Sequence, residues 1–139
     1  MILEGKQSEC ALHEKVIVSS EAGKTHRAIN ADGRFKVRQF KIDKMVQNQK
    51  CCDYLVLNDS SRVAYFIELK GTDISGAIDQ LENGFRIFKE ELKGFTSLFR
   101  IVAKRIKTQE LDTPEVRKLK KDYKGRLRYK SVIMDDILY

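Results

Sequence analysis

The chain has 139 residues, 42% of them hydrophobic, and a formal net charge of +7. That length suits one domain with a core of its own, so we expect a single unit over residues 1–139. No stretch approaches the ~20 apolar residues of a membrane span, no secretory leader is present, and Cys10, Cys51 and Cys52 are too few for a disulfide framework; these absences predict a reduced, cytoplasmic protein with no membrane partner.

Taken in chain order, residues 14–20 alternate weakly, 21–24 read as a turn and 26–30 return, which predicts an N-terminal β-hairpin. Residues 35–42 place apolar side chains at 35, 37, 40 and 42, a strand whose change of phase at 38–39 predicts a bulge. Two further strands, 51–57 and 63–69, are apolar on both faces and should lie centrally in a covered sheet. Between them Asn58-Asp-Ser-Ser-Arg62 is turn chemistry, short polar side chains that bond the local backbone.

Thr72 or Asp73 can cap a helix whose apolar stripe is Ile74, Ala77, Ile78, Leu81, Phe85, Phe88 and Leu92, with Gly94 after it. A strand over 97–103 follows. Thr113-Pro-Glu-Val116 then opens a second helix that Gly125 closes, and a last strand runs from 126 to about 133. This order predicts an α/β fold, a mixed central β-sheet flanked by helices.

Glu-x-Lys occurs three times, at Glu4, Glu68 and Glu91, and context separates the copies. Glu91 and Lys93 fall at the polar end of a helix, where solvation is expected, and Glu4 sits in an unpatterned leader. Only Glu68 and Lys70 end an apolar strand, on one face and about 7 Å apart. A turn about Ser60 and Ser61 pairs Asn58 with Val63 and sets Asp53 opposite Glu68. Like charges so placed destabilise a sheet unless a cation lies between them. Mg²⁺, with Mn²⁺ as a substitute, favours such oxygen ligands and activates water for attack on a phosphodiester. A purely structural reading stays open: two strand-end acids in solvent, with Lys70 as their salt-bridge partner.

Cys52-Asp-Tyr-Leu-Val-Leu57, then Tyr65-Phe-Ile-Glu-Leu-Lys-Gly71, then a helix with Ala77 and Gln80-Leu81, resembles the core of the PD-(D/E)XK nuclease superfamily. The resemblance covers about residues 35–105 and implies a restriction-endonuclease-like core. It implies that Asp53, Glu68 and the Leu69 carbonyl bind metal and that Lys70 assists the water. Gln80 resembles the glutamine that lies near the site in the RecB-like branch. Cys52 stands where the family has proline, Phe85 where that branch has an earlier tyrosine, and the leader is too short for the usual acid-bearing front helix. Asp43 is the nearest substitute for that acid.

The surplus charge lies wholly in residues 93–139, which hold 13 basic and 6 acidic side chains. Lys118, Lys120, Lys121, Lys124, Arg126, Arg128 and Lys130, interleaved with Tyr123 and Tyr129, are the expected nucleic-acid contacts, although a plain solvated surface would read the same way. Cys10 and His13 have metal-like spacing without a second pair, which argues against zinc. Cys51 and Cys52, adjacent in a strand, should point to opposite faces. The expectation is therefore a Mg²⁺-dependent nuclease acting on DNA before RNA. The alternative is a catalytically weak module of the same fold that binds nucleic acid or protein in a larger bacterial or phage assembly. A unit this small covers little duplex, so a homodimer or partner chain is expected.

Overall fold

A computed structural model describes residues 1–71, 73–122 and 125–139, with Lys70, Thr108 and Glu110 described by their main chain alone. Its layers follow from which strands are apolar on one face and which on two. Strand β1 (Val16–Glu21) turns through Ala22-Gly23, both at positive φ, into antiparallel β2 (Lys24–Ile29), the hairpin expected from the sequence. Strand β3 (Val37–Phe40) pairs with β4 (Tyr54–Asn58), which pairs with β5 (Val63–Lys70), all antiparallel. Helix α1 (Ile74–Phe88) then carries the chain to β6 (Thr96–Ala103), parallel to β5, and α2 (Pro114–Asp122) carries it to β7 (Leu127–Ser131), parallel to β6. Strand β8 (Ile133–Ile137) leaves this sheet and runs parallel to β2.

The outcome is a mixed α/β fold with a five-stranded sheet, β3-β4-β5-β6-β7, and a three-stranded sheet, β1-β2-β8. Alternation in the central strands divides the core. Leu55, Leu57, Ala64, Phe66, Phe99 and Ile101 pack against Ala77, Ile78, Leu81, Val116 and Leu119 of the helices. Tyr54, Val56, Tyr65, Ile67 and Val102 pack against Ile17, Ala28 and Met134 of the small sheet. Burial on both faces is what the doubly apolar sequences of β4 and β5 demanded. Among the described residues no helix is long and apolar enough to cross a membrane.

Both helices start as their sequences predict. The Asp73 carboxylate accepts the Gly76 amide at 2.9 Å, and Thr113 Oγ1 accepts that of Val116 at 3.3 Å. Thr72, the other expected cap, lies outside the described residues. Asn58 Oδ1 accepts the amides of Ser60 and Ser61 at 3.1 and 3.2 Å, the local bonding expected of that turn.

Four expectations are corrected. Strand β3 has no bulge: it pairs regularly from Val37–Asn58 to Phe40–Leu55. Its change of phase comes from Gln39, a buried polar side chain that donates to the Val18 carbonyl at 2.8 Å and to Ser19 Oγ at 2.9 Å. Cys51 and Cys52 precede β4 rather than open it, so strand alternation does not govern them. Both sulfurs turn to the helix layer, where a Cβ on Gly84 would stand 2.8 Å from Cys52 Sγ and 3.4 Å from Cys51 Sγ. Glu91 is not merely solvated, because it accepts the Leu3 amide at 2.8 Å. The single last strand is two strands in different sheets, divided at Val132, whose φ of 69° is foreign to a β-branched residue. The Val132 amide donates to Ala103 of the large sheet and its carbonyl accepts from Thr25 of the small one, so one residue joins the two.

Candidate functional site

Four elements converge at one end of the large sheet: the start of β4, the end of β5, the turn Ile42–Lys44 that follows β3, and the tip of the β1–β2 hairpin. The pairing runs from Asn58–Val63 to Tyr54–Ile67, the register inferred from the turn. Beyond it the ladder changes. The Asp53 amide donates to the Ile67 carbonyl at 3.1 Å, and the Asp53 carboxylate accepts the Leu69 amide at 2.8 Å. A side chain thus replaces the main chain as partner of β5 and is drawn in beside Glu68, which is fully buried.

The Asp53 carboxyl shares hydrogen bonds with the carboxyls of Glu68 and Asp43, linking three acids in a row. Carboxyl groups can hydrogen-bond one another only with a proton between them. Burial accordingly raises the Asp53 pKa to about 6; the charges of Glu21 and Asp43 push the same way, against the bonds from Leu69 and Glu68. Burial, and then the Glu21 charge, also raise the Asp43 carboxyl. Beside this row lies a cleft of about 190 Å³ between Glu21, Lys41, Asp43, Lys44 and Asp53.

Such a row of acids binds either protons or a cation. Among the described residues no three His, Cys, Asp or Glu side chains stand as a ready metal cage. A hard divalent ion that retains several waters needs only one or two carboxylates, and the oxygen donors of Asp53 and Glu68 fit that requirement. In an extended strand the N–H and C=O of one residue lie on the same edge, so the Leu69 carbonyl shares the edge whose amide meets Asp53.

Lys70 ends β5 opposite Ala103; its side chain lies outside the described residues, as does the whole of Lys124. Gln80 is half-buried on the flank of the α1 stripe. The expected basic segment does not form one face. Lys118, Lys120 and Lys121 belong to the helix layer, with the Lys120 ammonium 3.2 Å from the Tyr129 hydroxyl. Arg126 and Lys130 are exposed, while Arg128 turns to the opposite side of the sheet and donates to Asp136 at 2.5 Å. Residues 1–15 form turns without a helix, so Asp43 and Glu21 are the acids nearest to Asp53 and Glu68.

Three features escaped the sequence reading. Glu21 could have been noticed as an acid at a hairpin turn, but only the docking of the hairpin brings it to Asp53. Lys104, Arg105 and Lys107 directly follow a strand parallel to β5, a signal that places them at the same sheet end. The third is a buried ion network: Asp136 takes bonds from Arg100 Nε at 2.7 Å and from Arg128, with His26 Nε2 also 2.7 Å away. His26, a residue of the β1–β2 hairpin, is therefore buried, and among the described residues its Nδ1 has no partner. His13 bonds the Gly33 carbonyl and Cys10 bonds Ser8, neither approaching a shared metal position.

Compared with known proteins, the chain matches no family model, no curated protein and no solved structure.

Proposed function

We propose that the chain is a metal-dependent nuclease of the PD-(D/E)XK kind, built on a restriction-endonuclease-like core and hydrolysing phosphodiester bonds of nucleic acid, DNA before RNA. The observation that carries this reading is the linked pair Asp53 and Glu68, drawn together at a sheet end with the proton affinity of Asp53 raised to about 6. An antiparallel β4–β5 pair followed by α1 and parallel β6 supports the same reading.

Asp53, Glu68 and the Leu69 carbonyl would hold Mg²⁺ or Mn²⁺. Bound there, the ion would supply Lewis-acid chemistry, polarising a phosphoryl oxygen and acidifying a water. Lys70, at the end of the same strand, orients the attacking water and balances charge that develops on the phosphoryl oxygens. Gln80, half-buried on the flank of α1, would stand near the same acid row, as the resemblance implies. Asp43 takes the place of the acid that a front helix would offer.

One observation favours a second reading: with no front helix in residues 1–15, the same fold can serve as a catalytically weak binding module. Incubating the protein with plasmid, single-stranded DNA and RNA at varied Mg²⁺ and Mn²⁺, beside Glu68→Ala and Lys70→Ala, separates the two. Cleavage that needs metal and disappears in both variants supports the nuclease. Cleavage that survives both, or none under any metal, overturns it.

A further inference from the structure

Resting on that reading, we infer that a polynucleotide strand lies across the ends of the sheet strands and is gripped on both sides of the acid row, by Lys41 and Lys44 on one flank and by Lys104, Arg105 and Lys107 on the other. The basic face of α2 takes no part. Topology places the flanks. β3 ends beside the start of β4, because Phe40 pairs with Leu55, so Lys41 and Lys44 stand next to Asp53 and line its cleft. β5 and β6 are parallel, with Lys70 opposite Ala103, and the Lys104 amide donates to the Gly71 carbonyl at 2.7 Å. Residues 104–107 therefore leave the sheet at the end where Glu68 sits. Three strand spacings separate the flanks, about 14 Å, a span of a few nucleotides with the acids in the middle.

Charge supports the placement. Lys104, Arg105 and Lys107 are exposed, and among the described residues none is in an ion pair. Four exposed or half-exposed arginines elsewhere are paired: Arg27 with Asp135, Arg38 with Asp59, Arg117 with Asp112 and Arg128 with Asp136. Three unpaired cations within four residues repel one another unless a polyanion is brought to them. A row of acids, in turn, repels phosphate, and cations on both flanks are what would let a phosphate chain approach it. The α2 lysines are likewise exposed and, among the described residues, in no ion pair, but they project from the helix layer instead of flanking the acid row, and Lys120 is held against Tyr129.

The test is binding of a fluorescein-labelled oligodeoxythymidylate, followed by anisotropy over a range of salt, in a Glu68→Gln background that leaves the strand uncut. We compare Lys104→Gln/Arg105→Gln/Lys107→Gln, Lys41→Gln/Lys44→Gln and Lys118→Gln/Lys120→Gln/Lys121→Gln. The first should weaken binding at least about tenfold and lower the salt slope by about 2, as for three phosphate contacts at about 0.7 each on a single strand. The second should lower that slope by about 1. Lys104→Arg/Lys107→Arg should bind as the parent does. The α2 variant should change binding less than about twofold. Equal or greater loss in the α2 variant, parental binding by both flank variants, or no binding by the parent overturns the inference. Flank-dependent binding by a protein that cuts nothing removes the nuclease reading and leaves this surface standing; cleavage indifferent to the flanks does the reverse.

Discussion

The molecule holds two carboxylates, the buried Asp136 and the half-buried Asp53, in opposite company. Asp136 sits between the sheets, where the Arg100 and Arg128 guanidinium groups and the His26 ring all reach it. Burial alone would raise its pKa, but the bonds from His26 and Arg100 and the Arg100 charge outweigh burial and hold the carboxyl well below the usual carboxylate range. Asp53, at the sheet end, has acids for neighbours, and its pKa rises to about 6. The same side chain is a satisfied structural anion in one place and an anion in want of a cation in the other. The difference marks the sheet end as the place to look for chemistry, because a carboxylate already met by two arginines has little left to bind.

Several measurements sharpen or break this contrast. The largest effect is expected in cleavage, where Glu68→Gln or Asp53→Asn should lower the rate at saturating Mg²⁺ by at least about a hundredfold. Asp136→Ala should leave the sheet-end acids in place. It should strand the buried Arg100 guanidinium, however, and destabilise the fold by about 3–5 kcal/mol, read from urea unfolding. A small loss there would mean that the network is not the lock it resembles.

Titration should separate the two acids by sign. The Asp53 pKa is raised above 3.8 to about 6, so its stabilising share is complete below pH 3.8 and is lost as pH rises through about 6. The Asp136 pKa is lowered, so its share is present above pH 3.8 and is lost as pH falls below that value. Urea midpoints against pH should therefore fall toward both ends. Asp53→Asn should flatten the limb between about pH 4 and 6 and leave the acid limb unchanged.

The next effect is smaller. At pH 7.5, Mg²⁺ at ten times its Kd should stabilise the protein by about 1.4 kcal/mol, a rise in melting temperature of ~4 °C for a chain of this size. Asp53→Asn should abolish that rise. The smallest effect belongs to the strained joint between the sheets: Val132→Gly should gain about 1 kcal/mol, since glycine adopts its positive φ without penalty.

The sequence made the candidate site legible where local rules govern it. Asn58 to Arg62 could only be a turn, and once Asn58 met Val63 the register carried Asp53 to the side of Glu68. It was opaque where distant segments meet. Glu21 and Asp53 are brought together by a hairpin docking on a sheet, which no local pattern records. Asp136 follows Asp135 in what looks like a solvated acidic pair, yet strand alternation turns it inward to side chains from three other strands, two of them arginines. The break at Val132 was hidden because nothing in Lys130 to Met134 resembles a turn. Gln39 and the adjacent sulfurs of Cys51 and Cys52 misled for a related reason: such side chains in buried positions are settled by tertiary partners, not by periodicity.

The parallel seating of β8 beside β2 bears on how the protein is made. The hairpin that carries Glu21 has only one further strand in its sheet, and that strand is translated more than a hundred residues later. At ordinary elongation rates the hairpin would wait ~5–20 s after leaving the ribosome for its partner. A two-stranded ribbon is marginal in water, so through that interval the wall of the cleft nearest Asp43 is unfinished. On a nascent chain, the central sheet can gather first with its acids, and the cleft beside them closes last.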